Sequence, residues 1–327
     1  SPMNTIFQTL VYEREKGHDA VLATIIWDDG SAPRGKGSQM LVGQNGLLAG
    51  TIGGGAVEGQ AIAISREMLA DGTDSRIREF RLRRDGSAQS TGMVCGGDVT
   101  VYFRRIPMAE AAWDALASEA LRRIRQRQEG WLVQPLDGGM PYLTEEKTDK
   151  ENCFTMPLPV GERAIIFGGG HIARALVPLL YTVGFRPVVF DDRPPFAEVE
   201  RFPQADQVIC GDFTRIGDYL TVGPEDYVVI MTNGHEYDFQ AQVQVLRGET
   251  AYVGVIGSRK KTAFVNRRLR EAGISEEAIA FVHTPVGTAI KAVTPEEIAV
   301  SITGEMILVR ATRREANGET HHGCPMH

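Results

Sequence analysis

The sequence predicts an α/β protein in two parts: an N-terminal mixed α+β domain, then a C-terminal parallel sheet with helices on both faces. Three observations carry this. From Gly161 onward, apolar strand-like runs alternate with helical patterns, the signature of βαβ units. The first half mixes strand, hairpin and helix signals without that alternation. At 327 residues the chain also exceeds what one hydrophobic core usually serves.

In the first half, residues 5–17 read as an amphipathic helix carrying Ile6, Leu10 and Val11 on one side. Ala20–Ile26, rich in β-branched residues, reads as a strand. Asp28–Gly35 is a turn-rich loop. Gln39–Val42 and Leu47–Ala49 flank Gln44-Asn45-Gly46, a hairpin signal. Three glycines, Gly53-Gly54-Gly55, open a helix from about Val57 to Leu69, closed by Asp71-Gly72. Arg76–Leu82 and Asp98–Phe103 read as strands, and the first domain spans 1–107.

Residues 108–159 form an extension: a charged helix over 109–128, a hairpin around Asp137-Gly138-Gly139, and a polar, proline-bearing linker from Thr144 to Pro159. Residues 160–315 then alternate strand 163–167, helix 171–183, strand 186–190, a short strand near 207–210, strand 226–231, helix 238–247, strand 251–256, helix 260–272 and strand 280–283. The last helix opens on Thr294-Pro295-Glu296-Glu297, an N-cap, a first-turn proline and a capping-box glutamate. Residues 316–327 read as a flexible tail, whose His321, His322, Cys324 and His327 fit disorder better than metal binding.

A net charge of −7 argues against a broad basic surface for nucleic acid. No apolar run reaches the roughly 18 residues of a membrane span. The start lacks a signal-peptide pattern, and four scattered cysteines form no CxxC, so no metal is expected and a reducing cytoplasm is.

Chemistry concentrates at two glycine centres. Gly168-x-Gly170-x-x-Ala173 follows an apolar strand and opens a helix, and Asp191 ends the next strand, the context of a dinucleotide fingerprint in a Rossmann-like domain. There Gly168 makes the turn, Gly170 lets a pyrophosphate approach the helix N-terminus, His171 stands at the helix start, and Asp191 accepts a ribose diol. The alternative is that the glycines only shape the turn. Ser258, Arg259 and Lys260 open another helix at the same sheet edge, where an anion site competes with an ordinary basic helix start. His235 and Asp238 share that edge and are too few for a metal.

The N-terminal centre is less generic. Gly53, Gly54 and Gly55 expose N–H donors, while Glu58 repels phosphate and suits the donor edge of a heterocycle such as a pterin or guanine. Arg34 can supply charge to a phosphate. Cys95, beside Gly96 and Gly97, is a candidate soft ligand or persulfide carrier, against the alternative of a small buried hydrophobe.

Together these residues resemble the XdhC/CoxI family, accessory proteins of xanthine dehydrogenase and related molybdenum hydroxylases. The resemblance runs through Leu22-Ala-Thr24, Gly30-Ser-Ala-Pro-Arg34, Met40-Leu-Val42, Gly53-Gly-Gly55, Glu58, Gly92-Met-Val-Cys-Gly-Gly97, Phe167-Gly-Gly-Gly-His171, Asp191-Asp-Arg193, Phe196-Ala197, Arg201-Phe-Pro203, Gly257-Ser-Arg-Lys260 and Thr294-Pro-Glu-Glu-Ile298. It implies an XdhC/CoxI domain followed by a Rossmann-like domain. It also implies binding of molybdenum cofactor as cargo, its sulfuration with a cysteine desulfurase partner, and delivery to a xanthine dehydrogenase-type molybdenum hydroxylase. A homodimer is expected, and Cys95 becomes the leading thiol. Two positions depart: Ala56 stands where many relatives have cysteine, and Ala289 where relatives tend to carry an acid. The resemblance makes the chain a cofactor chaperone rather than an enzyme. Its rivals are an NAD-dependent oxidoreductase using the Rossmann-like crevice, or a nucleotide-sensing regulator. The crevice would hold NAD, the nucleotide part of a dinucleotide cofactor, or nothing.

Overall fold

The computed structural model describes residues 1–30, 34–81 and 98–316. They divide into two compact units, one of Ser1–Val160 with the chain from Arg313, the other of Gly161–Thr312. No helix among the described residues is long and apolar enough to cross a membrane.

The first unit opens with α1 (Pro2–Glu15), β1 (Ala20–Asp28), β2 (Gln39–Gly43), β3 (Gly46–Gly50), α2 (Gly55–Asp71), β4 (Ser75–Phe80) and β5 (Val99–Ile106). Its strands form an antiparallel sheet ordered β3-β2-β1-β5-β4. The sheet is covered on both faces, and the period of two along β1 assigns its residues. Val21, Ala23 and Ile25 meet Val57, Ala61, Ile64 and Met68 of α2. Ala20 and Leu22 face Ile6, Phe7 and Leu10 of α1 and Trp113 and Ala117 of α3 (Ala112–Arg125). The expected hairpin is present, with Val42 paired to Leu47.

After α3 come β6 (Trp131–Pro135), β7 (Tyr142–Thr144) and β8 (Cys153–Pro157), a small antiparallel sheet ordered β7-β6-β8. The stretch expected to be a linker therefore contributes β8, which pairs with β6 from Cys153↔Pro135 to Pro157↔Trp131. Leu132 and Leu158 join the core under α1 and α3, which gives this short strand an apolar anchor.

The second unit holds β9 (Arg163–Phe167), α4 (His171–Thr182), β10 (Arg186–Asp191), β11 (Gln207–Cys210), β12 (Tyr227–Ile230), α5 (His235–Leu246), β13 (Tyr252–Val255), α6 (Arg259–Glu271), α7 (Glu276–Phe281) and α8 (Pro295–Ala316). Its five strands are parallel and ordered β11-β10-β9-β12-β13, with one apolar cluster on each face. The order reverses between β9 and β12, the switch point at which such sheets open a crevice. The strand expected over 280–283 is a correction: Glu276–Phe281 is helical, with Ser275 capping the Ala278 N–H. Only a bridge between Gly254 and His283 survives of it. At α8 the capping box forms as expected, Glu297 N–H donating to Thr294 Oγ1 at 3.1 Å and Thr294 N–H to Glu297 Oε1 at 3.0 Å.

Candidate functional site

In the first unit, antiparallel pairing brings three segments to one sheet edge. They are the loop leaving β1, the turn from β3 into α2, and the start of β5, where Val99 pairs with Asp28. Arg34, half-buried, belongs to the first of these and is engaged with other groups. Asp98 is pinned there, donating its N–H to Asp29 Oδ2 at 3.0 Å. Cys95, Gly96 and Gly97 lie outside the described residues, as do the histidines and Cys324 of the tail.

The β3–α2 turn is built on glycine because its backbone runs left-handed three times in succession, with φ of 123° at Gly53, 71° at Gly54 and 64° at Gly55. Any side chain there is strained. The turn is locked from the helix side: Thr51 Oγ1 donates to Glu58 Oε1 at 2.6 Å and the Ile52 N–H to the same oxygen at 3.2 Å. Gly53 N–H then donates to Thr51 Oγ1 at 3.2 Å. Glu58 thus turns one oxygen inward to hold the loop, as a first-turn acid favoured by the helix dipole. Only Oε2, which takes no bond among the described residues, remains for a heterocycle.

In the second unit, the C-terminal glycine centre has two kinds of glycine. A Cβ on Gly168 would lie 2.1 Å from the Met231 carbonyl oxygen, and one on Gly169 would lie 2.0 Å from that of Phe196. Close backbone packing therefore accounts for both. Gly170 faces open space and caps α4 without a side-chain bond. Ala173, 1% exposed, packs the helix onto the sheet, while His171 is exposed.

Asp191 is the main surprise. It is fully buried, and its carboxylate accepts the Gly169 N–H at 2.8 Å, the Arg193 N–H at 2.9 Å, and Arg193 Nε and Nη2 at 3.0 Å each. Burial opposes its ionisation, and the bonds from Arg193 and Gly169 outweigh that, holding the carboxyl below its usual range. The segment after β10 closes over the turn: Arg193 lies 3.7 Å above the Phe196 ring, and Arg201 Nε donates to the Gly169 carbonyl at 3.0 Å. The donors at α4 fit a phosphate. The acid does not fit a ribose diol while Arg193 holds it, so the arrangement here departs from the expected nucleotide contact.

At the other end of the edge, Ser258 caps α6 as expected, accepting the Lys261 N–H at 3.4 Å, and Arg259 and Lys260 are exposed. The basic residue that meets a cavity is Lys261, together with His235 and Asp238. Lys261 belongs to the basic turn Gly257–Lys261 that the sequence marks as anion-friendly, whereas Gln242, in the same cavity, carries no sequence signal. The register of α6 against α5, which brings them together, is a tertiary property.

Comparison with known proteins matches both units. The model described as XdhC Rossmann domain matches residues 164–306, and that of the XdhC and CoxI family matches residues 13–81. The uncharacterised protein YqeB of Escherichia coli (strain K12) is 28% identical over 93% of this chain, which spans only 46% of that relative's length. The molybdenum cofactor insertion chaperone PaoD of the same organism is 27% identical, over 95% of this chain and 90% of PaoD. A crystal structure of a xanthine dehydrogenase from Bacillus halodurans is 25% identical with a TM-score of 0.51, covering 97% of this chain and 98% of that one.

Proposed function

The chain belongs to the XdhC and CoxI family, and from that premise we propose that it is an accessory protein that binds molybdenum cofactor and passes it to a xanthine dehydrogenase-type hydroxylase. The observation that carries this reading is the end-to-end match to PaoD, over 95% of this chain. The matched span includes both glycine centres, so the reading does not depend on one motif.

In this reading the β3–α2 turn holds the cargo. Its left-handed glycines bring backbone N–H groups close to a ligand, and the Thr51–Glu58 lock keeps them in place. Arg34 meets the phosphate end of the cargo, and Cys95 handles its sulfur with a cysteine desulfurase partner. The protein works as a homodimer in the cytoplasm. In this reading the Rossmann-like unit carries no nicotinamide chemistry, since the buried Asp191–Arg193 pair leaves no open acid for a ribose.

The test is anaerobic incubation of the full chain with molybdenum cofactor and, separately, with NAD, followed by thermal shift and assay of retained pterin. Retained pterin with a raised melting temperature is expected. Stabilisation by NAD alone, with no pterin retained, would overturn the reading in favour of a nicotinamide enzyme.

A further inference from the structure

Between the N-terminal halves of α5 and α6, at the carboxyl end of β12 and β13, lies a small cavity of about 30 Å3. Two buried side chains four residues apart on α5, and so on one helix face, line it: Asp238, 7% exposed, and Gln242, 2% exposed. Asp238 Oδ1 is occupied, accepting the Thr232 N–H at 2.9 Å and Thr232 Oγ1 at 2.6 Å. Its Oδ2 takes no bond among the described residues. Gln242 Nε2 is buried with no acceptor among them. A buried donor left unpaired is costly, so this amide calls for a partner from outside the chain. The walls add His235 and Lys261, both exposed, and the hydroxyls of Thr262 and Thr284, which bond each other at 3.0 Å.

We propose that this cavity is a binding site for the lactam edge of a phosphorylated heterocycle. Asp238 Oδ2 accepts the ring N–H, and the buried Gln242 amide turns at its terminal torsion so that Nε2 donates to the neighbouring ring carbonyl. A carboxylate acceptor beside an amide donor is the complement of an N–H beside a C=O. The inner space is on the scale of a water, so only the polar atoms at the edge of a ring reach it and the ring itself lies outside. A phosphate on that outer part meets His235, Lys261 and the N-terminal N–H groups of the two helices. A free anion alone is a poorer match, because Asp238 would repel it. The lactam edge is shared by guanine and by pterins, so a guanine nucleotide and a pterin phosphate are the two sources of the same chemistry. With a pterin phosphate as ligand the inference rests on the cargo reading and adds a second contact for the cargo; with a guanine nucleotide it stands apart from it.

Titration calorimetry on the full chain tests it, with GMP and neopterin as probes and CMP and 1-methyl-GMP as controls. At least one lactam probe should bind. Methylation at N1, which removes the donated proton, should weaken GMP binding by at least about tenfold. Asp238→Asn keeps the oxygen that serves Thr232 and turns the other contact into a donor, and Gln242→Glu inverts the second contact. Each should lose lactam binding by about tenfold with the melting transition retained. Binding of GMP alone assigns a nucleotide, and binding of neopterin alone assigns a pterin. The proposal is overturned if neither probe binds, if the methylated nucleotide or CMP binds as well as GMP, or if folded Asp238→Asn binds unchanged. The methyl-analogue arm, run with 3-methylneopterin where neopterin is the probe that binds, uses the wild-type chain and decides the matter even if a variant fails to fold. Retention of molybdenum cofactor by Asp238→Asn, measured separately, shows whether the cargo reading stands or falls independently.

Discussion

Arg193 grips Asp191 with two parallel hydrogen bonds, Nε to Oδ1 and Nη2 to Oδ2, both 3.0 Å long. The pair closes the end of β10, where a dinucleotide domain would present an open acid. Bidentate geometry makes it one of the stronger arrangements available to a guanidinium and a carboxylate. Because Asp191 also holds the Gly169 N–H, the same pair fixes the glycine turn.

Removing the guanidinium should open the acid. Arg193→Ala leaves a buried carboxylate without its cation and should destabilise the chain by about 3–5 kcal/mol. If the pair is what excludes a ribose, NAD should raise the melting temperature of the variant more than that of the wild type. Equal responses in both would show that the pair does not control access.

Acid stability gives a second reading of the same pair. The folded-state value of Asp191 is lowered from that of an ordinary aspartate. Its stabilisation is therefore complete above the unfolded value and disappears as pH falls through the folded value. Asp192, pushed up by burial and by Asp191, takes its proton first. Melting temperature against pH should separate wild type from Asp191→Asn at neutral pH, and the two curves should converge on the acid side. Curves that stay parallel down to about pH 2 would contradict the assignment.

The glycine turn of the first unit depends on Glu58. Glu58→Ala removes the acceptor shared by Thr51 and Ile52 and should cost about 1–2 kcal/mol. Glu58→Gln keeps an oxygen there and should recover most of the stability. Pterin retention should fall in both variants, because Glu58→Gln keeps the oxygen that locks the turn but replaces the Oε2 acceptor by a donor. Retention unaffected by either change would remove the turn from the cargo site.

Local chemistry made much of this fold legible. The Thr294–Glu297 box, the Gln44–Gly46 hairpin and the alternation after Gly161 each carry their cause within a few residues. β8 was hidden because its five residues are only partly buried and lie in a polar stretch, so their pairing with β6 decides the matter. α7 was misread because apolar residues near 280 suggested a strand, although Ser275-Glu276-Glu277 already spelled a helix start. At the sites, the glycines announced both turns. The inward roles of Glu58 and Asp191 depend on partners that sequence spacing cannot rank, and Gln242 gains meaning only once α6 lies beside α5.

The proposed thiol has its own test. Cys95→Ala should leave the melting transition intact and reduce both pterin retention and sulfur loading by the desulfurase. A variant that retains and sulfurates cofactor like the wild type would assign Cys95 to packing.

The central claim is that this chain carries molybdenum cofactor and hands it on. The most direct measurement loads the purified chain anaerobically, mixes it with apo-hydroxylase, and follows hydroxylase activity against an equal amount of free cofactor. The account predicts faster and more complete activation from the loaded chain, with the pterin leaving it as activity appears. Activation no better than free cofactor, with the pterin staying on the chain or never binding it, would contradict the account.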